Sequence, residues 1–131
     1  KGAYRLKKAG NKRKAILIAT GSEVHIALEC AEALEKQGVG ADVVSMVCTQ
    51  LFDEQDDAYK ADILPNVDPG EILRVSIEAG TTFGWERYTM ANGLNIGIDR
   101  FGASAPADDL FEKFGITADA IVPQIMNKLN A

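Results

Sequence analysis

Hydrophobic residues along this chain fall into two kinds of run. Ala15 to Ala19, Asp42 to Val47, Ile72 to Ile77 and Leu94 to Ile98 are short, largely apolar and mostly rich in β-branched residues, the pattern of strands covered on both faces. Between them apolar residues recur at helical spacing. Val24, Ala27, Leu28, Ala31 and Leu34 make one stripe, and His25, Glu29, Glu32 and Lys36 make the opposite, polar face. Glu32 and Lys36 are an i,i+4 pair in the favoured order. This helix opens after a sharp turn at Gly21, with Thr20 and Glu23 at capping-box spacing and Ser22 as a competing cap; Gly38 ends it as a left-handed residue. Leu51 to Leu64 reads as an acidic helical stretch closed by Pro65, and 66–70 as loop. Ser104 to Asp109 opens a further helix with Ala107, Leu110, Phe111 and Phe114 inward and Gly115 as its stop. Thr117 caps a last helix, stapled by Ile116 and Ile121, with Ala118, Ile121, Val122, Ile125 and Leu129 as its core stripe. Pro123 falls in its second turn, where a lost hydrogen bond and a bend are expected.

Ala3 to Lys7 alternates apolar and polar residues as a short edge strand does, and Ala9 to Arg13 is a turn. The order strand, helix, strand demands parallel pairing with a right-handed crossover. The pattern therefore predicts an α/β fold: a three-layer α/β/α sandwich on a mostly parallel sheet of about five strands, with one antiparallel edge strand. With 131 residues, the chain suits a single domain over 1–131. The segment 80–92 is ambiguous, rich in Gly and Thr and then aromatic.

Charge narrows the partners. A net charge of −5 argues against nucleic acid or an anionic membrane. Lys7, Lys8, Lys12, Arg13 and Lys14 form a local basic cluster, read as a solvated hairpin or, alternatively, an anion patch. Cys30 and Cys48 fit no metal or redox spacing and read as free thiols, which suits a reducing compartment and a cytoplasmic protein. No run approaches membrane-spanning length.

Candidate chemistry is sparse. His25 is the only histidine and lies on a polar helix face, so no Ser-His-Asp pattern can be completed. Asp53, Glu54, Asp56 and Asp57 fit a solvated acidic helix start better than acid–base or metal work. Phosphate motifs of the Walker type are absent, and Gly38-Val-Gly40 follows a helix and lacks the third glycine of a dinucleotide fingerprint. The turn Thr20, Gly21, Ser22, at the end of a strand and the start of a helix, remains the one credible anion site. Phe83, Trp85, Arg87 and Tyr88 form either a core-capping turn or an interface, since Trp, Tyr and Arg anchor interfaces.

Several motifs in order then resemble one family. Gly2-Ala-Tyr-Arg-Leu6, Ile18-Ala-Thr-Gly-Ser-Glu-Val24, Val44-Ser-Met46 with Leu51-Phe-Asp-Glu-Gln-Asp56, Val75-Ser-Ile-Glu-Ala-Gly80, Phe101-Gly-Ala-Ser-Ala-Pro106 and Leu110-Phe-Glu-Lys-Phe-Gly115 are similar to the C-terminal domain of transketolase. The resemblance covers nearly the whole chain. It implies a parent of the pentose phosphate pathway that moves a two-carbon ketol unit from a ketose phosphate to an aldose phosphate, with thiamine diphosphate and a divalent metal, Mg or Ca. It implies that two preceding domains, absent from this sequence, hold cofactor, metal and substrate, so no catalytic, cofactor or metal residue is carried onto this chain. The implied partners are those preceding domains and the second subunit of a homodimer. Cys30, Cys48 and Pro123 depart from the family pattern and bear on packing. Two alternatives stay open: a regulatory domain binding a small anion at the Gly21 turn, and an autonomous docking protein of the same fold.

Overall fold

A computed structural model describes residues 2–65, 71–78, 84–90, 93–97 and 116–130. The strands are β1 (Ala3–Lys7), β2 (Arg13–Ala19), β3 (Gly40–Met46), β4 (Leu73–Ile77) and β5 (Leu94–Ile96). The helices are α1 (Val24–Lys36), α2 (Thr49–Asp53), α3 (Asp57–Ile63), α4 (Glu86–Thr89) and α5 (Ala118–Leu129). All five strands join one sheet in the order β1-β3-β2-β4-β5; β1 runs antiparallel to β3 and the other pairs are parallel.

The continuous apolar run of β2 has a simple cause. Ala15, Leu17 and Ala19 point to one side, into a cluster with α1 and α5; Ile16 and Ile18 point to the other, into a cluster with α2, α3 and α4. Both faces are covered, so no position in Ala15–Ala19 can be polar. Each Leu or Ile fully buried there contributes about 1.5–3 kcal/mol. The predicted sandwich is therefore the observed one.

Helix α1 buries Ile26, Ala27, Cys30, Ala31 and Leu34. Its end is a Schellman motif: the Val39 N–H donates to the Leu34 carbonyl at 2.9 Å and the Gly38 N–H to Glu35 at 3.0 Å, with Gly38 at φ +81°. Burial, with the Glu29 charge second, pushes the Cys30 thiol up to about 12, so it is inert at neutral pH. Thr117 caps α5 by accepting from the Ala120 N–H at 3.3 Å, and Ile116 and Ile121 are both fully buried as the staple requires.

The helix α5 runs on through Pro123, which is exposed and donates no hydrogen bond. Three expectations change. The acidic stretch is two short helices, because Asp56 starts a new one by accepting from the Tyr59 N–H at 2.8 Å. The strand at Leu94 ends at Ile96, with 98 outside the described residues. Thr20 does not cap α1; a 3-10 turn over Gly21–Glu23 leads into it instead. The helix expected from Ser104 to Gly115 also lies outside the described residues. No helix among the described residues is long and apolar enough to cross a membrane.

Candidate functional site

Connections leave β2 and β4 in opposite directions. From β2 the chain passes through α1 to β3; from β4 it goes to β5 on the far side. Neighbouring strands whose connections diverge in this way leave a crevice beyond their carboxyl ends, the usual ligand position in open α/β sheets. A crevice of about 720 Å³ lies there, walled by Thr20 and Gly21 after β2, Ser45 and Met46 of β3, Val47 to Thr49 beyond it, Glu78 after β4, and Tyr4, Val24 and Trp85.

Its chemistry is set by Thr20 and Glu78, the first residues beyond β2 and β4. The Thr20 hydroxyl donates to Glu78 Oε2 in a short hydrogen bond, closing the switch point. Gly21 turns the chain at φ +52°. Glu23 is buried, 5% exposed. The sequence expectation of an anion site at Thr20, Gly21 and Ser22 thus meets the Glu78 carboxylate, which repels an anion, and a hydroxyl already committed to it. The Ser22 side chain lies outside the described residues.

Thiamine diphosphate with a divalent metal does not fit this donor set. Among the described residues the crevice offers the Glu78 carboxylate, the hydroxyl-bearing residues Tyr4, Thr20, Ser45 and Thr49, and Cys48, and no group of three or more His, Cys, Asp or Glu side chains could hold a metal. His25 is exposed on α1, as its helical phase predicts.

The aromatic segment is part of the core. Trp85 is 8% exposed and Tyr88 4%; the Tyr88 ring meets Phe52 edge-on and Trp85 at a tilt, in one cluster with Ile16 and Ile18. The Tyr88 hydroxyl donates to Asp53 at 3.0 Å, Arg87 pairs with the same carboxylate at 3.1 Å, and the guanidinium lies 4.8 Å from the Tyr88 ring centre. Burial, then Asp53, raises the Tyr88 phenol above its ordinary value. Of the residues expected at an interface only Arg87 is exposed; Phe83 lies outside the described residues. The aromatics tie α4 to α2 instead of standing on the surface. Sequence reasoning passed over Glu78 and Asp42. Asp42 was detectable, since a charge within an apolar strand must find partners.

The transketolase-like TK C-terminal domain family matches residues 2–117. The chain belongs to the transketolase C-terminal domain family. It is 54% identical over 114 residues to the chloroplastic transketolase of Solanum tuberosum, covering 87% of this chain and 15% of that protein. Against the transketolase of Aquifex aeolicus it is 41% identical over 128 residues, covering 98% and 18%. The solved transketolase of Leishmania mexicana superposes with a TM-score of 0.86 at 39% identity, covering 98% of this chain and 18% of that one. The chain thus spans less than a fifth of the length of these relatives.

Proposed function

We propose that this chain is the non-catalytic packing and assembly domain of a transketolase. The whole enzyme transfers a two-carbon ketol unit from ketose phosphates to aldose phosphates, with thiamine diphosphate and a divalent metal held by its preceding domains. The observation that carries this reading is the combination of near-complete coverage of this chain with coverage of only 15–18% of its relatives. The partners of this chain are the preceding domains and the second subunit of a homodimer. Tyr4, Leu6, Val47 and Leu51, exposed large apolar residues of β1, the β3–α2 connection and α2, are suited to such packing. Residues 1–131 act as one domain. The free thiols of Cys30 and Cys48 suit a reducing compartment such as the cytoplasm.

An assay of the purified 131-residue chain with xylulose 5-phosphate, ribose 5-phosphate, thiamine diphosphate and magnesium tests the non-catalytic part. The expected result is a folded protein, by amide dispersion, with no turnover above a blank. Ketol transfer by the chain alone refutes it.

A further inference from the structure

At the opposite end of the strands lies a second cavity, of about 520 Å³, between the start of β2 and β3 and the end of α3. Its centre is Asp42, with a side chain only 1% exposed. A carboxylate buried to that degree requires partners. Arg13 Nη1 donates to Oδ2 at 2.8 Å, Arg5 Nε to the same oxygen at 3.1 Å, and the Ala9 N–H to Oδ1 at 2.8 Å. Asp42 is thus fully engaged. Arg5 is engaged as well, since it also pairs with Asp62 at 3.5 Å and donates to that residue's carbonyl.

Arg13 is not. Its guanidinium makes the one contact with Asp42, and its remaining N–H groups and the side chain of Lys8, an exposed residue that also lines the cavity, have no partner among the described residues. Three cations here face two carboxylates, in a chain of net charge −5. The buried carboxylate anchors Arg13 through Nη1, and Arg13 lines the same cavity, so the side chain is partly ordered before any ligand arrives. A planar fork beside a point ammonium, in a concave site of small-molecule size, matches the tetrahedral oxygens of a phosphate group.

We propose that this cavity binds a phosphate group, free or carried on a small molecule, through Arg13 and Lys8. The site is independent of the assembly reading, and either stands if the other fails.

The test is NMR titration of the 131-residue chain with inorganic phosphate, and separately with glycerol 3-phosphate, at ionic strength held constant with chloride. For at least one of the two, the Ala9 amide and the Arg13 Nε–H shift saturably. Lys8→Gln, at an exposed position, weakens that binding about tenfold, as loss of one charge-assisted contact should. Arg13→Lys keeps a cation beside Asp42 but removes the fork, and weakens it by about as much. Lys36→Gln, on the outer face of α1, leaves it unchanged. Saturation with inorganic phosphate identifies a free-ion site, and saturation with the ester alone identifies a phosphomonoester site. Shifts that rise linearly with both ligands, or that are the same in Lys8→Gln, mean an adventitious ion only and overturn the proposal.

Discussion

Two glycines show how much a single residue decides. Gly21 sits at φ +52° with nothing within 4 Å of where a Cβ would stand, so its demand is conformational and not steric. Gly21→Val is expected to destabilise by roughly 1–3 kcal/mol, because a branched residue disfavours the left-handed region. Gly21→Asn, which tolerates that region, should lose clearly less. Denaturation midpoints of the two variants check this, and equal midpoints contradict it. The turn was legible in sequence because glycine at a strand-to-helix junction has few other uses. Thr20 was not. Its capping spacing with Glu23 is local, whereas its actual partner, Glu78, is 58 residues away and reaches it only once β2 and β4 pair in parallel. Asp42 differs: a charge within an apolar strand signals that partners exist, and only their identity, in β1, the turn and β2, depends on the fold.

At the scale of elements, Glu35 fastens the β1–β2 turn to α1. Its carboxylate accepts from the N–H groups of Gly10 at 2.8 Å, Asn11 at 2.9 Å and Ala41 at 3.2 Å. Led by Gly10, these bonds pull its pKa from the ordinary 4.5 down to about 2, against a smaller opposing cost of burial. A depressed carboxyl stabilises fully above its unfolded value and loses that contribution as pH falls through the folded one. Stability should therefore decline from about pH 4.5 toward pH 2, and Glu35→Gln should flatten that part of the profile. Amide exchange at Gly10 and Asn11 across this range is the measurement; an unchanged acid limb in Glu35→Gln contradicts it. Pro123 belongs here too. It lacks the N–H that would donate to the Asp119 carbonyl, yet α5 runs on to Leu129 on the strength of its buried Ile121, Val122 and Ile125. Pro123→Ala restores that donor at an exposed position and should stabilise by about 1–3 kcal/mol. An unchanged or lower midpoint would show that the ring packs usefully. Periodicity gave α1 and α5 clearly, since long stripes are hard to mistake. The split between α2 and α3 was less visible, because one N-cap, Asp56, sits inside a run of acids that all favour helix starts.

For the whole molecule, the layered sheet followed from the alternation of buried strands and amphipathic helices, and the antiparallel β1 from its half-polar pattern. The site was legible only in part. The Gly21 turn was found, but the electrostatic character of the crevice depends on Glu78, which lay in a motif read for resemblance and not for chemistry. The aromatic segment went the other way: Trp85, Arg87 and Tyr88 have the composition of an interface, and the fold uses Trp85 and Tyr88 to cover Ile16 and Ile18. Composition alone cannot separate these uses, because a large aromatic with a polar handle serves both.

The central claim is that this domain supports assembly and supplies no chemistry. It is tested most directly by sedimentation velocity and ketol-transfer rate on the Solanum tuberosum transketolase with its matched C-terminal segment either deleted or replaced by this chain. The replaced enzyme should sediment as a dimer and retain turnover, and the deleted one should lose the dimer. A deleted enzyme that remains dimeric and fully active would contradict the account.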